Sequence, residues 1–403
     1  MKRIKHGVCA AQGFKAAAIH AGIRQNHHKL DLALIASEVE AKAAAVYTKN
    51  QVKAAPIYLT KKHLADGKAK AIICNSGNAN ACTFDGMEIA NQTSKLLAKE
   101  LGINPQDVIV ASTGVIGQRL AIKPFQDKMT DLVLGLGNNS EQAAKAIMTT
   151  DLKLKEIAVS FELNGIECNI GGIAKGSGMI HPNMGTMLAF ITTDCEISSQ
   201  MLDQALKTDV EKSFNMVSVD GDTSTNDMVC ILANGLAHNK PITAPGPDYK
   251  IFCEALNIIT TYLSKLIAAD GEGATKLLEC SVFGAKTKTA ARKSAKSVIS
   301  SSLVKAAFFG ADANWGRILS ALGNSGADID LSNIKISLKS KQGQIVVCEN
   351  GIAIEFSEDK AKEILLEDEI QIEIILNQAQ FNATAWGCDL TYDYVKINGD
   401  YRT

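Results

Sequence analysis

The run Lys175-Gly-Ser-Gly-Met-Ile-His-Pro-Asn-Met-Gly185 leads directly into Thr186, and Met187, Leu188, Ala189, Phe190 and Ile191 beyond it spell a buried strand. A threonine at the mouth of such a strand becomes a nucleophile if the bond before it is cut. Its hydroxyl then lies beside its own free α-amine, which can take the proton. Self-cleavage requires the hydroxyl to attack the preceding carbonyl, with an N→O acyl shift to follow. Gly185 lets the peptide bend sharply enough for that attack. A lone Gly-Thr pair is ordinarily a turn into a core strand, with the threonine as a capping hydroxyl.

The whole string KGSGMIHPNMGTMLAFITTD, Lys175 to Asp194, resembles the self-cleavage site of the glutamate N-acetyltransferase (ornithine acetyltransferase) family of arginine biosynthesis. The family mostly has alanine before the threonine, where this chain has Gly185. The resemblance runs to Thr403 and organises further segments. Ala111-Ser-Thr113-Gly114-Val-Ile-Gly117 is similar to the family's oxyanion-hole segment, which implies the Thr113 hydroxyl and the Gly114 amide as donors to a developing oxyanion. Ala146-Ile-Met148-Thr149-Thr150-Asp151 resembles a substrate-binding segment whose first threonine, here Thr149, contacts substrate. By the same likeness Lys175 holds a substrate carboxylate as a point charge. Glu272, within Asp270-Gly-Glu272-Gly, binds substrate, and Asn398 and Thr403 reach the site from the chain's end. A terminus is normally frayed, so this one must be docked. Read alone, each of these would be an ordinary turn, helix end or solvated loop residue.

The resemblance implies a double displacement. Thr186, freed by autocleavage between Gly185 and Thr186, takes the acetyl group of N2-acetylornithine, and glutamate then takes it from the threonine ester. It also implies pieces 1–185 and 186–403, two copies of each, and no external cofactor. Acetyl-CoA as a second acetyl source stays open, because members of the family differ in using it. Two alternatives remain at this level. One is an N-terminal-threonine amidase or aminopeptidase that delivers the acyl group to water; the other is an uncut binding protein.

Other chemistries find less support. The ten cysteines show no C-x-x-C spacing and sit mostly in apolar runs, which suits reduced, buried thiols in a cytoplasmic protein. Asp220 and Asp222 lack the calcium-loop spacing, and no metal site is assigned. His181 is the one histidine near Thr186 and could tune it. There is no G-x-S-x-G elbow. Lys286, Lys288, Arg292, Lys293 and Lys296 read as a solvated helix surface. With a net charge of −1 nothing points to nucleic acid or an anionic membrane. The basic start Met1-Lys-Arg-Ile-Lys5 lacks an apolar signal core, and no membrane-spanning run of about 18 apolar residues is apparent.

The elements that must position these residues are mixed. Strands are expected at 71–74 (before a loop 75–80), 108–112, 157–161, 167–170, 187–191, 228–232, 277–283, 334–338, 344–348 and 369–376. Helices are expected over 89–101, 140–148 with Ser140 as N-cap, 199–210, 249–266 and 286–307. The stretch 369–376 alternates cleanly, as in an antiparallel sheet with one wet face. At 403 residues and 46% hydrophobic, the chain can bury a large core. The three-proline stretch 239–247 reads as a surface loop. The expected fold is α+β: a layered, N-terminal-nucleophile-like sandwich of mostly antiparallel sheets with flanking helices, in two domains. Asn75–Cys82, Ser218–Asp227 and Ala311–Arg317 also agree with the family, with no chemical role attached.

Overall fold

The computed structural model describes residues 1–24, 26, 28–181 and 187–400. Among these, nine strands form a first sheet: β1 (Lys2–Ile4), β2 (Phe14–Ile19), β3 (Leu32–Tyr47), β4 (Lys68–Asn78), β5 (Val108–Val115), β6 (Lys155–Leu163), β7 (Ile166–Lys175), β8 (Leu188–Thr193) and β10 (Met228–Ala233). Their order is β1-β6-β7-β8-β10-β3-β4-β5, with β2 also paired to β3. A second sheet holds β9 (Val217–Ser218), β11 (Leu277–Ala285), β12 (Lys335–Ser340), β13 (Gly343–Glu349), β14 (Ile352–Ala353), β15 (Glu369–Ile375) and β16 (Phe381–Cys388), in the order β14-β13-β12-β15-β11-β16-β9. Pairing is mostly antiparallel, as expected. The exceptions are β8–β10 and β4–β5 in the first sheet and β11–β15 and β9–β16 in the second.

The apolar runs of β8 and β10 follow from burial on both faces. Successive side chains alternate across a strand. Leu188, Phe190, Met228, Cys230 and Leu232 join a core with Ala143, Ala144 and Ile147 of the helix Ser140–Ile147. Ala189, Ile191, Val229 and Ile231 join the opposite core, with the helices Ser199–Val210 and Pro247–Ala269. Each Leu, Ile, Val, Phe or Met among them, fully buried, contributes roughly 1.5–3 kcal/mol. The helix Pro247–Ala269 also packs on β11 and β16, so it lies between the two sheets and makes the architecture layered.

The stretch before residue 185 holds β1 to β7, and the stretch after 186 holds β8 to β16. They interleave in one sheet: β8 pairs with β7, and β10 with β3. The backbone hydrogen bonds of the first sheet therefore tie the two stretches together.

Several local expectations need correction. Ser140 is the first residue of its helix rather than the N-cap, and its hydroxyl instead accepts the Val8 amide at 3.0 Å. The helix expected over 286–307 is two, Lys288–Ser300 and Ser302–Phe309, because Ser301 turns extended and caps the second. β4 continues to Asn78 through the expected loop. β15 does have one wet face, with Ile370, Ile372 and Ile374 buried, but it pairs antiparallel only with β12 and parallel with β11. The basic helix is not simply solvated. Arg292 bonds Glu211 at 2.9 Å, and burial brings the Lys296 ammonium down to about 8. Among the described residues one helix, Pro247–Ala269, is long and apolar enough by composition to cross a membrane, but Phe252, Leu256, Ile259, Leu263 and Ile267 on it are fully buried in the protein core. The ten cysteines are all free, seven of them buried.

Candidate active site

Six of the residues singled out in the sequence line one cavity of about 170 Å³: Thr113, Gly114, Thr149, Lys175, Glu272 and Asn398. Met187 and Leu188, which follow Thr186 in the chain, line it too. Gly185, Thr186 and Thr403 lie outside the described residues. The cavity sits where β5 and β7 finish and where β8 and β10 begin, so residues from β5, β7 and β8 reach one space with strand backbone behind them.

The segment that resembles an oxyanion hole is the end of β5, held by the two upstream and downstream stretches that had no role in the sequence. Asn75 Oδ1 accepts the Ser112 hydroxyl at 2.7 Å, and the Ala79 amide donates to Val115 O at 2.9 Å. Asn226 Nδ2 donates to Ala79 O at 2.6 Å and to Ser112 O at 2.8 Å, joining both stretches at one amide. Gly114 has φ +133°, and a Cβ there would lie 2.4–2.8 Å from the backbone of Gly77 and Asn78. Only glycine fits so close to β4. The third stretch is a helix cap: Asn314 Oδ1 accepts the Arg317 amide at 3.1 Å.

Beneath the cavity lies a buried charge network. Lys155, with a fully buried side chain, donates to Asp151 Oδ1 at 2.8 Å and to Asp270 Oδ2 at 2.5 Å. Asp151 Oδ1 also accepts the Gly176 amide at 2.6 Å, and its Oδ2 accepts the Thr149 amide at 2.9 Å. Lys175 Nζ stands 3.8 Å from Asp151 Oδ2. Burial works against the Asp151 charge, but Lys175, Lys155 and the Gly176 amide together hold its carboxyl well below the usual range. Asp270 accepts the Leu152 and Lys153 amides at 3.0–3.3 Å and lies two residues before Glu272.

Glu272 is 8% exposed, not a solvated loop carboxylate. Asn398 Nδ2 donates to Glu272 Oε2 at 2.9 Å from the helix Tyr392–Asp400, so this end of the chain is docked on the site. Gly273 makes the docking close. It has φ +69°, and a Cβ would lie 2.6 Å from Tyr394 N and 2.9 Å from Asp393 C. Gly273→Ala must therefore push the C-terminal helix away. We expect a loss of about 1–3 kcal/mol from the strained conformation, read as a lower thermal midpoint, together with earlier proteolysis of residues after 390.

The loop after β7 is pinned by the segment 218–223. Asp220 accepts the Met179 amide at 2.6 Å and the Ile180 amide at 2.9 Å. The Val219 amide donates to Ile180 O at 2.6 Å, and Thr223 Oγ1 to His181 O at 2.8 Å. His181 Nδ1 lies 2.9 Å from Ser218 Oγ. Burial, with Lys296 adding, lowers the imidazole to about 4, so it is neutral at physiological pH.

The sequence reading gave no role to Asp151, Asp220, Asn226 and Asp227. Asp227 lines the cavity, and burial pushes its carboxyl well up, against the Ser224 and Thr48 hydrogen bonds and the Lys175 charge. Its Oδ2 is buried with no hydrogen-bond partner among the described residues. The density of Asp, Asn, Ser and Thr in 218–227 was the available signal. Among the described residues, no group of three or more His, Cys, Asp or Glu side chains is placed to hold a metal ion.

The profile of the ArgJ family matches residues 15–403. An arginine biosynthesis bifunctional protein ArgJ from Caldanaerobacter subterraneus subsp. tengcongensis is 50% identical over 394 residues, 97% of each chain. The corresponding ArgJ 1 from Clostridium acetobutylicum is 51% identical over 392 residues, 97% of this chain and 96% of its own. A crystal structure of arginine biosynthesis bifunctional protein argJ from Bacillus halodurans is 45% identical with a TM-score of 0.50; it covers 53% of this chain and 98% of its own, so that solved chain is about half as long. With the match running over nearly the full length, this chain belongs to the ArgJ family.

Proposed function

We propose that this chain is a self-cleaving acetyltransferase of arginine biosynthesis that moves the acetyl group of N2-acetylornithine to glutamate through an acetyl-threonine ester. One observation carries the reading: Thr113, Gly114, Thr149, Lys175, Glu272 and Asn398 converge on the cavity that Met187, the neighbour of Thr186, also lines. Thr186 is the nucleophile in this reading. Its α-amine, with an ordinary pKa near ~8, is partly neutral at physiological pH and takes the hydroxyl proton. The hydroxyl oxygen attacks the acetyl carbonyl. Thr113 and the Gly114 amide hold the oxyanion, the C–N bond breaks, and ornithine leaves with the proton. Glutamate's amine then attacks the ester and regenerates the hydroxyl. Thr149, Lys175, Glu272, Asn398 and Thr403 position the amino-acid parts of both substrates. No cofactor is required, because the ester stores the acyl group. Acetyl-CoA as a second donor fits the name "bifunctional" that the relatives carry.

The nucleophile is made by scission between Gly185 and Thr186, giving pieces 1–185 and 186–403 that stay associated, two copies of each, in the cytoplasm. The half-length of the Bacillus halodurans chain, against relatives that match end to end, supports such a cut in the family. Asp220 anchors the loop that leads to it. Asp220→Ala removes the acceptor of two amides, and we expect it to slow maturation by about ten-fold or more on a time course of denaturing gels, a loss of one to two hydrogen bonds to a charged group.

The test is incubation of purified protein with N2-acetylornithine and glutamate, in one arm without acetyl-CoA and in another with acetyl-CoA replacing acetylornithine. Acetylglutamate forming in the first arm supports the reading. Release of acetate with no acetylglutamate would instead establish the amidase alternative.

A further inference from the structure

We infer that Asp151 is a positioning residue that sets the Lys175 ammonium for recognition of the substrate's α-carboxylate, with Lys155 and Asp270 as its buried frame. The inference rests on the proposed role of Lys175 and adds the device behind it. A lysine side chain has four rotatable bonds and binds a carboxylate as a point charge. Used as a recognition group, it needs its charge kept in a buried place and its position fixed without using up its donors. Both conditions are met here.

The Lys175 side chain is 9% exposed, and the Asp151 side chain is fully buried. The 3.8 Å between Lys175 Nζ and Asp151 Oδ2 is close enough for charge stabilisation but too long for a hydrogen bond, so the ammonium keeps its donors for a ligand. Asp151 cannot follow the ammonium outward. Its carboxylate is held by Lys155 Nζ at 2.8 Å and by the amides of Gly176 at 2.6 Å and Thr149 at 2.9 Å. Two of those contacts bind the backbone next to Lys175 and that of Thr149 itself. The same carboxylate thus fixes two of the proposed substrate contacts relative to each other. Lys155 extends the frame to Asp270, two residues before Glu272.

Asp227 also feels the Lys175 charge, and burial drives its carboxyl toward its neutral form. Among the described residues Asp151 is the carboxylate that stands in ion-pair range of Lys175. Within this buried set two carboxylates, Asp151 and Asp270, balance two ammonium groups, Lys155 and Lys175, while Glu272 adds a carboxyl group of its own to the cavity lining. A buried ion set of this kind is weak support for folding but a good register device.

The experiment reads amine release in a single turnover, without acceptor, from N2-acetylornithine and from N-acetyl-1,4-diaminobutane, the same donor lacking its carboxylate. The wild-type enzyme prefers the carboxylate donor. In Asp151→Asn that preference falls by at least about ten-fold, the size of one charge-assisted hydrogen bond. Asp151→Glu keeps the charge but has an extra methylene. It cannot hold the Gly176 amide and face Lys175 at once, and its preference falls by about three-fold. If Asp151→Asn does not give folded protein, the Glu variant decides. Equal losses on both donors would make Asp151 merely structural and overturn the inference, as would an unchanged preference. Lys175→Met separates the two levels. Preference lost there but kept in both Asp151 variants removes only the inference. Preference kept in Lys175→Met removes the reading of Lys175, and the inference with it.

Discussion

Thr186→Ala is expected to run as one full-length band on a denaturing gel and to transfer no acetyl group. The substitution removes the oxygen that would attack the Gly185 carbonyl and, once the chain is cut, the oxygen that would carry the acetyl group. Both steps fail together. Loss of a nucleophile that acts as part of a unit costs roughly 10⁶-fold in turnover. Fold is not the reason for the failure. The two stretches on either side of this bond share the sheet that contains β7, β8, β10 and β3, and its hydrogen bonds do not need the cut. Thr186→Ser keeps a hydroxyl and should still cleave and transfer. An uncut Thr186→Ala protein with near-normal transferase activity would remove Thr186 from the mechanism.

Thr113→Val is expected to lower kcat by about 10²–10³-fold with little change in KM, the usual consequence of deleting one oxyanion donor. Valine has nearly the same shape, so the loss is that of the hydroxyl. Thr113 is 9% exposed at the end of β5, where Asn75 and Asn226 hold the neighbouring Ser112. The surrounding backbone should therefore stay in place. Gly114→Ala is the harsher change, because its Cβ would meet backbone atoms of β4 that have no room to yield. It should lower both stability and turnover. The check is kcat and KM beside a thermal melt. A Thr113→Val enzyme with unchanged kcat would mean that the oxyanion is held elsewhere.

The strands around the site could be read from sequence because their burial is written in residue type. Met187–Ile191 and Met228–Leu232 are apolar at every position, and both strands are buried on both faces. The helix over 199–210 matched to the residue, with Ser198 capping Met201 N. The break at Ser301 was missed although Ser300-Ser301-Ser302 offered a signal, three weak helix formers in a row of which one caps the second helix. Ser140 was read as an N-cap from local pattern, whereas a tertiary partner, the Val8 amide, claims its hydroxyl. The parallel neighbour of β15 could not be seen, since alternation reports which face is wet and not the direction of the next strand.

The site divides in the same way. Thr113, Gly114, Thr149, Lys175, Glu272 and Asn398 could be singled out because each lies in a string with recognisable neighbours, and the fold brings all six to one cavity. Their supports were not found. Lys155 meets Asp270 across 115 positions, and Asn226 meets Ser112 across 114. Pairings of that span leave no periodicity and no spacing to read. A buried lysine such as Lys155 also looks in sequence like any solvated one, because residue type alone carries no burial.

The most direct measurement is the mass of the larger fragment after brief incubation with N2-acetylornithine in the absence of glutamate. The account predicts a chain beginning at Thr186 and heavier by one acetyl group on that first residue, with the addition lost when glutamate is supplied. Intact protein that is fully active, or a cut fragment that turns over substrate without ever carrying the acetyl group, would contradict it.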